Sequence, residues 1–191
     1  MKLSQKLLLA LLATPLGAMA QDAVEINHKV ILGLHEEARI KELGLDIKAK
    51  LDTGAVSASL SAYDIQPVMR DGEEWVRFRL GIADDAGWRE LPLDDTVRIR
   101  RRIADMDGDL TQTATSRPVV RLTVCVGERE VPMRVNLTDR RNFSYALLLG
   151  AEGLRDLRSL VDPAQAFSSG SPRCTVTLAN LDDEHGEEED R

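Results

Sequence analysis

The sequence predicts a single, mainly β domain of closed-barrel or sandwich type. Three observations carry that expectation. Short segments of alternating apolar and polar residues recur along the chain, separated by Gly, Pro, Asp and Ser turn signals. Sustained helical periodicity is missing outside one short stretch after Gly150. The length of 191 residues, with 43% hydrophobic and 30% charged, suits one globular domain rather than a rod or a disordered chain.

Taken in order, residues 29–34 and 38–43 read as the two strands of a hairpin. Residues 45–51 alternate so that Leu45, Ile47, Ala49 and Leu51 share one face. This strand runs into Asp52-Thr53-Gly54-Ala55, after which 56–60 resumes an extended pattern. Asp71-Gly72 makes a turn before another alternating strand at 75–80. Residues 96–106 and 110–116 flank Asp107-Gly108, a strong hairpin signal. A further hairpin, 117–126 with 129–137, turns at Gly127-Glu128. The wholly apolar Leu147-Leu148-Leu149, ended by Gly150, suits a buried strand, and 151–158 has a helical face with Leu154 and Leu157 inward. Residues 173–178 return as a last strand.

The two ends read differently from the middle. Lys2 and Lys6, an apolar run at 7–16, and Ala18-Met19-Ala20 form the pattern of a cleavable export signal over 1–20. The run is shorter than the roughly 20 residues a spanning helix needs, and the signal suits a bacterial periplasm. Removing both lysines takes the formal charge from −7 to −9. The last ten residues hold seven acids against Arg191, which reads as a disordered acidic tail over 182–191. The folded domain is therefore expected within 21–181. Net negative charge and 4% aromatics argue against nucleic acid as a partner.

His28, His35 and His185 lack ligand spacing, so no metal site is expected. Cys125 and Cys174 are the two cysteines. An oxidising compartment invites a disulfide between them, but Cys125 lies mid-strand in Leu-Thr-Val-Cys-Val and reads more readily as core.

The chemistry centres on Asp52. A carboxylate at the end of an apolar strand, followed by Thr53 and Gly54, is held in place by the strand while the glycine permits a tight turn and a close approach. Thr53 can hydrogen-bond across a neighbouring loop. Two such carboxylates side by side share one proton, so that one activates a water and the other polarises a peptide carbonyl. One chain supplies only one Asp-Thr-Gly, so the pair requires two chains.

The hydrophobic lead-in and trailing Ala55, the Leu149-Gly150 step with its short helix, and the Asp107-Gly108 hairpin together resemble retroviral-type aspartic peptidases. More closely, the Asp-Thr-Gly-Ala segment, 71–78, Leu137-Thr-Asp-Arg140, the Leu-Leu-Gly run and Val161-Asp-Pro163 resemble a bacterial retropepsin-like group that carries the label ATP-dependent zinc protease. The resemblance covers about residues 30–163. It implies a homodimeric closed barrel with Asp52 catalytic, Thr53, Gly54, Ala55, Leu149 and Gly150 supporting the catalytic loop, and Asp107 and Gly108 at the tip of a flap over the substrate. It also implies the company of ATP-grasp ligases or of membrane proteins bearing an inactive transglutaminase domain. The label itself finds no support, since neither His-Glu-x-x-His nor a phosphate-binding loop is present. No cofactor is expected.

Retroviral relatives carry an acid and an arginine, paired with each other, where this chain has Val56 and Ala151. Losing both together is a compatible swap, whereas losing one would strand a charge. It also puts the strength of the dimer in question. Other candidates have plainer readings. Asp105 to Asp109 has its glycine too early for a calcium loop. Ser57, Ser59 and Ser61 read as structural, and Asp139 as an organiser of its loop through Arg140 or Arg141. Arg98, Arg100, Arg101 and Arg102 read as a solvated strand edge that could also favour acidic substrates. The expectation is an exported aspartic endopeptidase acting on a protein or peptide. Its rival is a periplasmic peptide-binding module of the same fold that clamps a partner without cutting it.

Overall fold

The computed structural model describes residues 28–82, 87–100 and 114–179. Twelve strands and one short α-helix are found among them. The strands are β1 (Val30–Gly33), β2 (His35–Ile40), β3 (Leu45–Leu51), β4 (Ala58–Arg70), β5 (Glu73–Leu80) and β6 (Trp88–Pro92). They continue with β7 (Asp95–Arg100), β8 (Ala114–Val126), β9 (Arg129–Thr138), β10 (Leu147–Leu149), β11 (Ser159–Asp162) and β12 (Val176–Thr177). The helix α1 spans Ala151–Asp156.

Six strands close on themselves in the order β9-β8-β2-β3-β10-β4 and back to β9, through the parallel pairing of Ala58–Ser61 with Val135–Thr138. Closure, not a two-sheet sandwich, is the outcome. Period-two patterning makes it possible, because each strand turns one apolar row inward. On β9, Val131, Met133, Val135 and Leu137 are buried; on β3, Ala49 and Leu51 complete the inward row predicted for that strand. Phe78, wholly buried on β5, is the largest side chain of the core. The long strands β4 and β8 leave the barrel at one end. There β4 continues into a β4-β5-β6 meander, and β8 begins as the return arm of the β7-β8 hairpin.

Three expectations are corrected. Residues 29–34 do not form a hairpin with 38–43. Instead β1 pairs in parallel with β11, Ile31 opposite Leu160, and β2 pairs with β3 and β8. The reason is packing after Gly33: a Cβ there would lie 2.7 Å from the Gln165 carbonyl oxygen, and Leu34 donates its amide to that same oxygen at 2.8 Å. Residues 41–43 form a 3-10 turn, not a strand. The helix stops at Asp156, two residues early, and Arg158 turns away with φ of 50°. Leu154 and Leu157 are nonetheless buried as the pattern predicts.

Cys125 and Cys174 are joined in a disulfide with Cα atoms 5.6 Å apart. The two readings of Cys125 were not exclusive, since it is both fully buried and bonded. The bond ties a C-terminal strap to the barrel. A second tie is Glu36, completely buried on β2. Its carboxylate accepts hydrogen bonds from the Gly33 amide at 2.6 Å and from the amides and hydroxyls of Ser168 and Ser169 at 2.7–3.2 Å. Five donors satisfy a charge that would otherwise be costly to bury. The export-signal and acidic-tail expectations, and the 105–109 segment, lie outside the described residues.

Candidate active site

Strand β3 delivers Asp52 to the barrel rim. The Leu51 amide bonds the Leu34 carbonyl and the Asp52 amide bonds the Leu149 carbonyl, both at 2.9 Å, so the backbone is held on two sides. Beyond Asp52 the chain folds into a tight turn. The Ala55 amide donates to the Asp52 carbonyl at 3.2 Å, and the Gly54 amide donates to Asp52 Oδ1 at 3.1 Å. The second carboxylate oxygen, Oδ2, accepts from Lys50 Nζ at 3.2 Å. Burial raises the carboxyl pKa. Lys50, through its hydrogen bond and its charge, and the Gly54 and Ala55 amides outweigh that and hold it below the usual aspartate range.

Support comes from behind. Leu149 and Gly150 are buried, with β10 wedged between β3 and β4. A Cβ on Gly150 would lie 2.5 Å from the Ser57 carbonyl oxygen and 2.7 Å from that of Val56, so only glycine lets this chain pass so near the returning Asp52 loop. The first amides of α1 then take up loop carbonyls: Ala151 donates to Ala55 at 2.8 Å and Glu152 to Val56 at 3.0 Å. Orphan donors of a helix start thus fix the far side of the Asp52 loop.

The tip of the loop is open. Thr53 and Gly54 are exposed, and Val56 is 70% exposed. The hydrogen bond expected from Thr53 to a neighbouring loop is not made among the described residues. Around Gly54 a Cβ would meet only Asp52 Oδ1 among the described residues, at an ordinary 3.4 Å, so nothing in them demands glycine there.

Beside Asp52 runs a groove of about 330 Å³ lined by Lys50, Arg140, Phe143, Ser144, Tyr145 and Leu148. Arg140 crosses from the loop after β9. Its Nη1 donates to Ser59 Oγ at 3.2 Å and its amide to Ser61 Oγ at 3.2 Å. The guanidinium lies 4.7 Å from the ring centre of Phe143. Burial and the nearby Arg117 lower its pKa, and Asp52 raises it. Ser59 and Ser61 are thus structural supports of this arginine, while Asp139 pairs with Arg141, one of the two partners the sequence allows. A larger groove of about 760 Å³ lies between the β4-β5 arm and the base of the β7-β8 hairpin and does not reach Asp52.

Asp52, Thr53, Gly54, Ala55, Leu149 and Gly150 are therefore brought together in one loop system. Asp107 and Gly108 lie outside the described residues, though β7 and β8 pair as the two arms of the predicted hairpin. Sequence reasoning passed over Lys50 and took Arg140 only as a partner for Asp139. For Lys50 a signal was available: in an extended chain, residues two apart point to the same side. For Arg140 none was, because its proximity to Asp52 is set by the barrel.

Residues 31–172 match the RimB-like family, described as retropepsin-like aspartic endopeptidase RimB. A Shewanella halifaxensis (strain HAW-EB4) protein named "Probable alpha-L-glutamate ligase" is 32% identical over 145 residues, 75% of this chain and 31% of that protein. A protein of the same name from Parasynechococcus marenigrum (strain WH8102) is 32% identical over 149 residues, 78% of this chain and 31% of that protein. The chain thus spans less than a third of the length of the curated relatives it matches. A crystal structure of a Legionella pneumophila protein of unknown function matches with a TM-score of 0.60 and 34% identity, covering 73% of this chain and 98% of that one.

Proposed function

The chain belongs to the RimB-like family of retropepsin-like aspartic endopeptidases, and from that premise we propose that it is an exported endopeptidase whose active site forms between two copies, each contributing Asp52. The observation that carries this reading is the fixing of Asp52: backbone tied to Leu149, Oδ1 held by the Gly54 amide, and Oδ2 turned to a groove. In the paired state one carboxylate is ionised and one protonated. The ionised one takes a proton from water as the oxygen attacks the scissile carbonyl carbon, and the protonated one donates to the carbonyl oxygen. Collapse of the tetrahedral adduct breaks the C–N bond, with the proton passing to the leaving nitrogen.

Export is supported by the signal pattern at 1–20 and by the Cys125–Cys174 disulfide, a bond that persists in oxidising compartments. Lys50 and Arg140 beside Asp52, together with relatives named for α-L-glutamate ligation, favour acidic peptides as substrates. The test is Asp52→Asn in the full chain. It is expected to abolish cleavage of an acidic peptide while leaving fold and dimer intact, and retained cleavage would refute the assignment. A second reading, a binding module that holds a peptide without cutting it, draws on Val56 and Ala151, which replace the charged pair that supports the dimer in retroviral relatives. A monomer that binds acidic peptides and never cleaves them would decide for it.

A further inference from the structure

Among the described residues Asp52 has one side-chain hydrogen-bond partner, and it is a cation. Lys50 Nζ lies 3.2 Å from Oδ2, delivered there by the alternation of β3, which turns residues 50 and 52 to the same side. We propose that Lys50 is a positioning residue that governs how the paired Asp52 carboxylates share their proton, and hence the pH range of cleavage. This rests on the peptidase reading above.

The surroundings single out Lys50 for that role. From its own loop Asp52 receives the Gly54 amide on Oδ1. From the β9-β10 connection Arg140 and Tyr145 share the groove, and Arg117 on β8 acts on Arg140. On β2, His35 stands opposite Lys50 in the register, with its ring stacked on Tyr145 at 4.3 Å between centres. On α1, Glu152 faces the Val56 side of the loop. Arg140 is already committed to Ser59 and to the Tyr145 carbonyl, so its charge acts at a distance, whereas among the described residues Lys50 alone donates from a side chain to the carboxylate.

The chemistry gives the direction. A working dyad holds one proton, and an adjacent ammonium favours the carboxylate over the acid. Each protomer brings its own Lys50, so both macroscopic ionisations of the dyad are drawn toward lower pH, and the active window with them. Replacing the ammonium by an isosteric apolar chain lets the dyad keep its proton to higher pH. The acidic and alkaline limbs then both move upward.

The experiment uses the full chain as wild type, Lys50→Met, Lys50→Arg and Asp52→Asn. One arm measures kcat/KM against pH on an internally quenched acidic peptide; the other follows Asp52 by carbon-13 carboxyl titration. Lys50→Met is expected to shift both limbs and the Asp52 titration to higher pH, and Lys50→Arg to restore the wild-type profile. Superimposable profiles and titrations for wild type and Lys50→Met, with Asp52→Asn inactive, overturn the role of Lys50 while leaving the peptidase reading standing. No cleavage by wild type, with the titration of Asp52 still moving upward in Lys50→Met, sinks the peptidase reading and supports the Lys50–Asp52 coupling.

Discussion

The Cys125–Cys174 disulfide closes a loop across a sequence separation of 49 residues, and that loop contains β9, β10, α1 and β11. A cross-link of this length removes about 4 kcal/mol of chain entropy from the unfolded state. Removing it through Cys174→Ala leaves Cys125 as a buried thiol, which behaves as a small apolar side chain and leaves the core filled. The expected loss is about 4 kcal/mol of unfolding free energy, a large part of the 5–15 kcal/mol typical of a domain. For a domain of roughly 150 residues that corresponds to a Tm lowered by ~8–16 °C. The assay is urea and thermal unfolding of the oxidised full chain and the variant, with thiol titration to verify the bond. A contrasting outcome is informative. If the variant loses less than about 1 kcal/mol while proteolysis cuts near residues 171–178, the bond acts only on a locally fraying strap, and the loop-closure reasoning is refuted.

The remaining expectations are shorter to state. Gly150→Ala places a methyl against the Ser57 carbonyl, so it should cost about 1–3 kcal/mol and reduce kcat through displacement of the Asp52 loop; unchanged stability would contradict the packing described. Burial raises the Glu36 pKa, but hydrogen bonds from Ser168, the Gly33 amide and Ser169 outweigh it, leaving it below the ordinary glutamate value of 4.5. Its stabilisation should therefore be complete above that pH and fade as pH falls through the lower folded value; Glu36→Gln should flatten this acid dependence in Tm measured against pH. Phe78→Ala, wholly buried on β5, should lower unfolding free energy by about 3–5 kcal/mol in urea titration without altering Asp52.

What the sequence reveals follows from how local each constraint is. Strands β3, β5 and β9 announce themselves because alternation is a property of neighbouring residues, and the turn at Asp52 does so because its closing bond spans two residues. The parallel pairing of Val30 with Ser159 leaves no such trace: the two strands are short, and each pairs with a segment far along the chain. Hence the pattern of 29–34 points to its sequence neighbour at 38–43 instead. The Glu36 clamp was equally hidden, since an acid within an alternating strand reads as solvent-facing until Ser168 and Ser169 are folded over it. The cysteines were visible as a pair, but strand position alone could not say whether burial or bonding governed Cys125.

The Asp52 loop divides along the same line. Its inner side is fully accounted for by the chain itself: Leu149 and Ala55 are satisfied by the Asp52 and Ala151 amides, and Gly150 is required by Ser57. Its outer side is not. Thr53 and Gly54 are exposed, Val56 presents most of its surface to water, and no contact among the described residues explains a threonine or a glycine at these positions. Residues whose identity the chain does not use are intelligible if a second copy of the same loop uses them, which is also what a mechanism with one aspartate per chain requires. Under the proposed function, then, the exposed half of the loop and the missing carboxylate are one requirement, and the Lys50–Asp52 pair is what each chain brings to it.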